Sequence, residues 1–334
     1  MPFFRWIACI APLLVGCASV QMVPETLPDE EETISLRFGW EPGERAQVSV
    51  ARSVLGWTPR GPDRQEIALR YELELEKDEG DEELLLIRRR ELNIDAMPAI
   101  WDPSAVEMAA MELGQPDWRV SAEGNLVGIG TPAKAQATAA SLLGRMAKSG
   151  QVPESFKSRL AELFSEEGIH DRANASWDHL VGLWSGGDLE VGRVYHARDR
   201  MSVDALGNIS LEMLFEMKLV GRVPCMEGED AESCVLLELR AAPEPSQHPR
   251  LLAFVSTLFP HPASDIRIEE RIEVIAEPET MRPHRFSATR AVIIPFHAVE
   301  GRMPPSFEQR DERLLTFRWT SALETPGVEQ ARAP

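Results

Sequence analysis

Leu69-Arg70-Tyr71-Glu72-Leu73-Glu74-Leu75-Glu76 alternates apolar and charged side chains without a break. In an extended chain Leu69, Tyr71, Leu73 and Leu75 point one way, and Arg70, Glu72, Glu74 and Glu76 point the other. A period of two is that of a pleated strand with one buried and one wet face. Lys77-Asp78-Glu79-Gly80-Asp81 then interrupts the pattern, and residues 84–94 begin another strand. The acidic interruption has the charge to attract calcium, but its spacing lacks a complete calcium loop and reads as a solvated hairpin end.

The same period extends in both directions. Upstream, Ile34, Leu36, Phe38 and Trp40 alternate with Ser35, Arg37 and Gly39, and Glu41-Pro42-Gly43-Glu44 supplies turn chemistry before a strand-like run over 47–54. Together these predict an antiparallel hairpin with one buried face. Downstream, Asp102 and Pro103 open a short helix carrying Val106, Met108, Ala109, Ala110 and Met111. Trp118, Val120 and Ala122 lead into Gly124-Asn125, with Leu126, Val127 and Ile129 beyond, which predicts another hairpin.

Between 131 and 185 the texture changes. Thr131-Pro132 starts a helix over 133–148, and Pro153 starts a second that reaches Glu166 with a stripe of Phe156, Leu160, Leu163 and Phe164. Gly168 is expected to stop it, and 171–184 form a third helix with Trp177, Leu180, Val181 and Trp184. After Gly186-Gly187 the period of two returns. Leu211, Met213, Phe215, Met217 and Leu219 share one face, opposite Glu212, Glu216 and Lys218. The adaptable methionines suit a soft ligand cavity as well as ordinary core packing. Further strands are expected at 234–240, 266–275, 284–294 and 313–320, while 251–259 reads equally as helix or strand.

The fold class is therefore mainly β with a central helical segment (α+β), built on one large curved antiparallel sheet or on two related β-rich halves. Val120-Ser121-Ala122-Glu123-Gly124-Asn125-Leu126 and Val203-Asp204-Ala205-Leu206-Gly207-Asn208-Ile209 share a short pattern that favours related halves, although hairpin chemistry alone can impose it. The organisation is an N-terminal antiparallel β region at 34–130, a helical insert at 131–185, a C-terminal antiparallel β region at 186–323 and a flexible tail at 324–334.

The N-terminus is of another kind. Arg5 precedes an apolar run over 6–15 that ends in Leu14-Val15-Gly16-Cys17, a processing segment too short to span a bilayer. Leu14, Val15, Gly16 and Cys17 resemble the lipobox of bacterial lipoproteins, and the resemblance covers the leader alone. It implies a signal peptide at 1–16, removed before Cys17, and lipidation of Cys17 by a diacylglycerol group on its thiol, often with an acyl group on its amine. Residues 17–33, with Pro24, Pro28 and the run Asp29-Glu30-Glu31-Glu32, then form a flexible acidic tether. The implied location is the cell envelope. Ala18 resembles the pattern that permits transfer to an outer membrane in a Gram-negative source, with the body in the periplasm or at the cell surface. Each buried methylene contributes about 0.8 kcal/mol, so two or three acyl chains hold firmly where one is marginal.

Charge narrows the partners. The 334 residues carry 35 Lys plus Arg against 54 Asp plus Glu, a net −19, which becomes −20 when Arg5 leaves with the leader. Such a surface repels phosphates and anionic headgroups, which argues against nucleic acid and leaves membrane attachment to the N-terminal lipid. Of the four cysteines, Cys9 leaves with the leader and Cys17 takes the lipid. Cys225 and Cys234 remain, flanked by strand-like runs, and are expected to form a disulfide in an oxidising envelope. Two cysteines alone do not supply a four-ligand zinc environment, and no metal or other cofactor is expected.

Catalytic motifs are sparse. Gly128-Ile129-Gly130-Thr131-Pro132 lacks the lysine of a phosphate loop and reads as a strand-to-helix turn. Ser185-Gly186-Gly187-Asp188 has a serine near an aspartate but no aligned base. His170, His179 and His196, with Asp171 or Asp199, have irregular spacing for metal ligands. Carboxylates abound in an acidic chain, so their number does not indicate a glycosidase pair. Trp40, Trp57, Trp101, Trp118, Trp177, Trp184 and Trp319 offer surfaces for sugar or lipid, with core packing as the alternative. The sequence thus points to a noncatalytic envelope lipoprotein that binds an apolar ligand or envelope component. A structural, protein-interacting lipoprotein is the alternative, and a hydrolase of envelope polymers a more distant one.

Overall fold

The computed structural model describes residues 32–320 apart from 59–60, 82, 99–102, 150–151, 204–205, 207–208, 230, 260 and 298–305. The lipobox with Cys17, nearly all of the tether and the tail lie outside the described residues. The first half of the chain contains β1 (Thr33–Ser35), β2 (Arg45–Thr58), β3 (Gly61–Lys77), β4 (Leu85–Ala96), α1 (Pro103–Leu113), β5 (Trp118–Val120) and β6 (Leu126–Ile129). Three helices follow, α2 (Ala133–Ser149), α3 (Glu154–Leu163) and α4 (Glu166–Trp177), the last running into a π-helical turn, Asp178–Gly182. The second half contains β7 (Asp188–Glu190), β8 (Val194–Val203), β9 (Ile209–Val223), β10 (Cys234–Pro243), α5 (His248–Leu258), β11 (Arg267–Ala276), β12 (Pro283–Ile294) and β13 (Phe307–Thr320).

Eleven strands form one sheet in the order β6-β5-β4-β3-β2-β13-β12-β11-β10-β9-β8, and every neighbouring pair is antiparallel. Two meanders are joined where the last strand pairs with β2, in register from Arg310↔Leu55 to Thr320↔Arg45. Of the two sheet arrangements open in the sequence, the continuous one is realised. The hairpins that echo each other lie at opposite edges, β5–β6 at one and β8–β9 at the other, and Gly207-Asn208 of the second echo lies outside the described residues.

Alternation becomes rows once the register is known. Leu219, Leu237, Val274, Phe286, Leu315, Val50 and Leu69 are successive cross-strand partners from β9 to β3, and all are buried. Residues of this row touch across the seam on the inner face, which makes the two meanders share one core. The outer face carries ion-paired charges, including Arg45 with Glu72 and Glu74 and Arg271 with Glu238 and Glu273.

Helices lie against the inner face. α1 is buried from Ala105 to Glu112, rests on β2 and β3, and carries α2 on its far side. α3 buries Phe156 and Leu160, and Ser165 then begins α4 by accepting the Gly168 N–H at 3.0 Å. Gly168 is thus in the first turn of a new helix rather than a terminator of the old one. A Cβ there would stand 2.5 Å from the Glu162 carbonyl oxygen, so close passage of the preceding helix end, not a stop signal, requires glycine. The ambiguous 251–259 segment is α5, whose Leu251 and Val255 are spaced for one buried helical face.

One further expectation is corrected. The alternating run from Ile34 to Trp40 does not fold back on β2. Only β1 is a strand, and it pairs with β7. Leu36 then exchanges hydrogen bonds with Gly186 and Gly187, Arg37 donates to Pro278 and Gly39 to Thr280. The alternation is genuine, since Leu36 and Trp40 are buried, but β2 already has β3 and β13 on its two edges. Trp177 gathers this segment. Its ring lies 5.9 Å from Phe38 and 5.5 Å from both Trp40 and Trp118, and its Nε1 donates to the Gly124 carbonyl at 2.8 Å.

Candidate functional site

The inner face changes character one row beyond its apolar line. Met217, Leu239, Ile272, Ala288, Arg313, Arg52 and Ile67 are again successive partners, and the row places two arginines side by side across the β13–β2 seam. The row after that holds Glu270, Arg290 and Asp311. Like charges directly opposed in a sheet repel. Here α1 supplies the countercharge: Arg52 Nη1 donates to Glu112 Oε1 at 3.1 Å, and Arg313 Nη2 to Oε2 at 2.9 Å. Arg52 also grips Asp311 through two bonds, at 3.0 and 2.6 Å. Glu112 is 2% exposed and Arg52 7%.

Burial alone would lower the Arg52 guanidinium, but Asp311 and Glu112 outweigh it and raise the group. Burial would likewise raise the Glu112 carboxyl, and Arg313 with Arg52 holds it below its ordinary value instead. The end of α1 is pinned by Arg89, which donates to the carbonyls of Glu112, Leu113 and Gln115 at 2.8, 3.4 and 2.6 Å, where a helix presents unsatisfied acceptors. Arg172 donates to the Leu163 carbonyl and covers the Phe164 ring at 4.3 Å. Burial lowers it to about 10. Arg159 of α3 meets Glu107 of α1 at 2.7 Å, yet burial lifts the Glu107 carboxyl to about 7.

Two adjoining, partly open spaces lie here between the sheet and its helical cover. One, of about 20 Å³, is walled by Tyr71, Leu73, Ile87, Trp118, Leu180 and Phe317. The other, of about 80 Å³, is walled by Arg52, Glu112, Arg172, His179, Glu270 and Arg313. Gln115, Ser176, Phe286 and Arg313 border both. Glu270 Oε2 is buried with no hydrogen-bond partner among the described residues, and His179 is held neutral-leaning by burial. A third, open depression of about 360 Å³ is walled by residues such as Ala51, Ser53 and Ala68 of β2 and β3, with Arg64 and Glu66 among its charged groups.

The residues nominated by sequence disperse. His170 contacts Asn174, His179 faces the polar space, and His196 stands 3.9 Å from Glu216 on β9. Among the described residues no group of three ligand side chains forms around any of them. Asp188 receives Ser35 and faces Arg37, which explains the 185–188 turn structurally. Asp78 of the acidic hairpin is taken by Arg119 at 2.8 Å and by the Gly80 N–H. Met213 is core, and neither it nor Met217 lines the three spaces. Trp40, Trp177 and Trp184 are buried, whereas Trp101 and the Trp57 side chain lie outside the described residues. Cys225 and Cys234 are disulfide-bonded.

The arginine–carboxylate network was missed by sequence reasoning. Its signal was present: Arg52 occupies an inward position of an otherwise apolar alternation, Ala46, Val48, Val50, Val54, and Glu107 and Glu112 interrupt an apolar helix. Among the described residues, no helix is long and apolar enough to cross a membrane.

No family model matches the chain, and no curated protein matches it. Among solved structures, one described as "Lipid-protein interactions in lipovitellin" is similar over 85% of this chain and 26% of that one, with a TM-score of 0.39 and 8% identity. The chain thus spans about a quarter of that protein's length, and at this score the likeness carries no argument about function.

Proposed function

We propose that the chain is a noncatalytic lipoprotein of the bacterial cell envelope, held by lipid on Cys17, whose body takes up an apolar ligand between the inner face of the sheet and helices α1 and α4. The observation that carries this reading is the ordered change across that face. A seven-residue apolar row passes directly into a row bearing Arg313 and Arg52, with adjoining spaces on the two characters. Such a wall matches a molecule with an apolar body and a polar or anionic end, because apolar area drives burial while a few placed donors fix orientation.

The apolar space, at about 20 Å³, holds no more than one water-sized group. A ligand therefore enters by parting the helical cover from the sheet. Mass spectrometry of protein purified gently, with matched lipid-extraction controls, tests the reading. A retained amphiphile near one per chain is expected. Protein that retains none and binds no apolar fluorescent probe would overturn it.

A protein-interaction role is favoured by a different observation. β6 ends the sheet, and its Val127 is 57% exposed, so this edge offers a template for another strand. Proximity crosslinking from intact cells would support that role if one partner were captured reproducibly through β6 while no lipid was retained.

A further inference from the structure

The disulfide has a neighbour that spacing along the chain does not reveal. Cys225 follows β9, and Cys234, fully buried, opens β10. Two strands away, His284 stands at the start of β12 with its side chain only 10% exposed. Its Nε2 lies 3.0 Å from Glu277 Oε1. Glu277 is itself fixed, accepting the Thr280 hydroxyl at 2.6 Å on Oε2 and facing Arg282 at 3.8 Å.

An ionised carboxylate only accepts, so His284 Nε2 must donate to it. The neutral ring then carries its lone pair on Nδ1. That atom is buried and has no hydrogen-bond partner among the described residues. A ring nitrogen of His284, Cys225 Sγ and Cys234 Sγ lie within 4.8 Å of one another, and Nδ1 is the ring nitrogen that Glu277 leaves free.

We propose that, in the dithiol form, Cys225, Cys234 and His284 bind a thiophilic divalent cation of the zinc type, with Glu277 as the residue that positions His284. Two thiolates and one imidazole nitrogen are zinc ligands, and a fourth position is left for water. A carboxylate on the far ring nitrogen fixes the tautomer and orientation a metal-bound histidine needs. The sulfurs become ligands only after reduction, since the thiolate is the metal-binding species. A dithiol reductant supplies the two electrons. The Cys225–Cys234 S–S bond breaks, a new S–S bond forms within the reductant, and its two thiol protons pass to the cysteines. Metal binding then releases those two protons to water. Cys225 lies outside the strands, which lets it part from Cys234 without disturbing the β9–β10 ladder.

The test uses the full chain carrying Cys9→Ser and Cys17→Ser, so that Cys225 and Cys234 are its only thiols. It is reduced with excess dithiol, freed of reductant by gel filtration without oxygen, and titrated with Co²⁺. The expected result is one Co²⁺ per chain with thiolate-to-cobalt charge-transfer absorption, displaced by Zn²⁺, and no binding to the oxidised chain. Glu277→Gln should weaken binding about 10- to 100-fold. His284→Ala should weaken it further and alter the spectrum. The proposal is overturned if the reduced chain binds no Co²⁺, or if His284→Ala binds as tightly with an unchanged spectrum, as a cysteine pair alone would. Should His284→Ala fail to fold by circular dichroism, the ring-nitrogen shift of His284 in the chain with histidine intact decides: a zinc-induced change at Nδ1 supports the site, and no change overturns it.

Discussion

Glu112 shows how one side chain sets the terms for its surroundings. Its two oxygens separate Arg52 from Arg313, which the sheet register would otherwise leave opposed and buried. Glu112→Ala should therefore destabilise the protein by about 3–5 kcal/mol, the scale for stranding buried charge, as read by urea unfolding at neutral pH. The folded carboxyl titrates below its ordinary value, so its contribution is present above the unfolded pKa and is lost as pH falls through the folded one. The difference between parent and variant should accordingly shrink on acidification. A penalty independent of pH would show that packing, not charge, is responsible. Gly124 is constrained differently: its φ is +86°, and an added Cβ would lie 2.7 Å from the Phe38 ring. Gly124→Ala should cost about 1–3 kcal/mol from the backbone conformation alone, measurable as a lowered midpoint of denaturation.

At the scale of elements, the cover is fastened by polar pins as well as by its apolar stripes. Arg89 holds the end of α1, and Glu107–Arg159 joins α1 to α3. Burial lifts the Glu107 carboxyl from 4.5 to about 7, against the pull of Arg159. The folded state thus binds this proton more tightly than the unfolded state. Its stabilising effect is fully present below about pH 4.5 and is lost as pH rises toward about 7. Glu107→Gln should remove that slope, so melting temperatures of parent and variant should diverge across this window when measured in parallel. Identical slopes would place the Glu107 carboxyl at its ordinary value.

For the molecule as a whole, the β2–β13 seam decides whether there are one or two folding units. Eleven residue pairs cross it, and the apolar row runs through Leu315↔Val50 without interruption. Leu315→Ala should cost about 2–5 kcal/mol. Both the parent and this variant should unfold in one transition, with tryptophan fluorescence and far-ultraviolet circular dichroism coinciding. Two separate transitions would mean that the meanders hold themselves independently. The same seam carries the arginine row, so loosening it should also reduce ligand retention under the proposed function.

The sequence by itself determined the elements. β3, β9, β11, β12 and β13 were legible because alternation is a local property of an extended chain, and α1 to α3 because proline starts and apolar stripes are local too. The disulfide was legible because Cys225 and Cys234 bracket a short loop between strand-like runs. Tertiary structure alone decided the partners. That β13 pairs with β2, that 36–40 run beside 186–187, and that Glu112 neutralises arginines 60 and 201 residues away are long-range facts. An inward arginine reads as an error in a strand pattern until a helix from elsewhere brings its carboxylate. His284 reads as one more strand residue until two intervening hydrogen-bonded ladders set it beside the sulfurs. Periodicity assigns a side chain to a face, but which charges and ligands meet on that face depends on register and on what covers it.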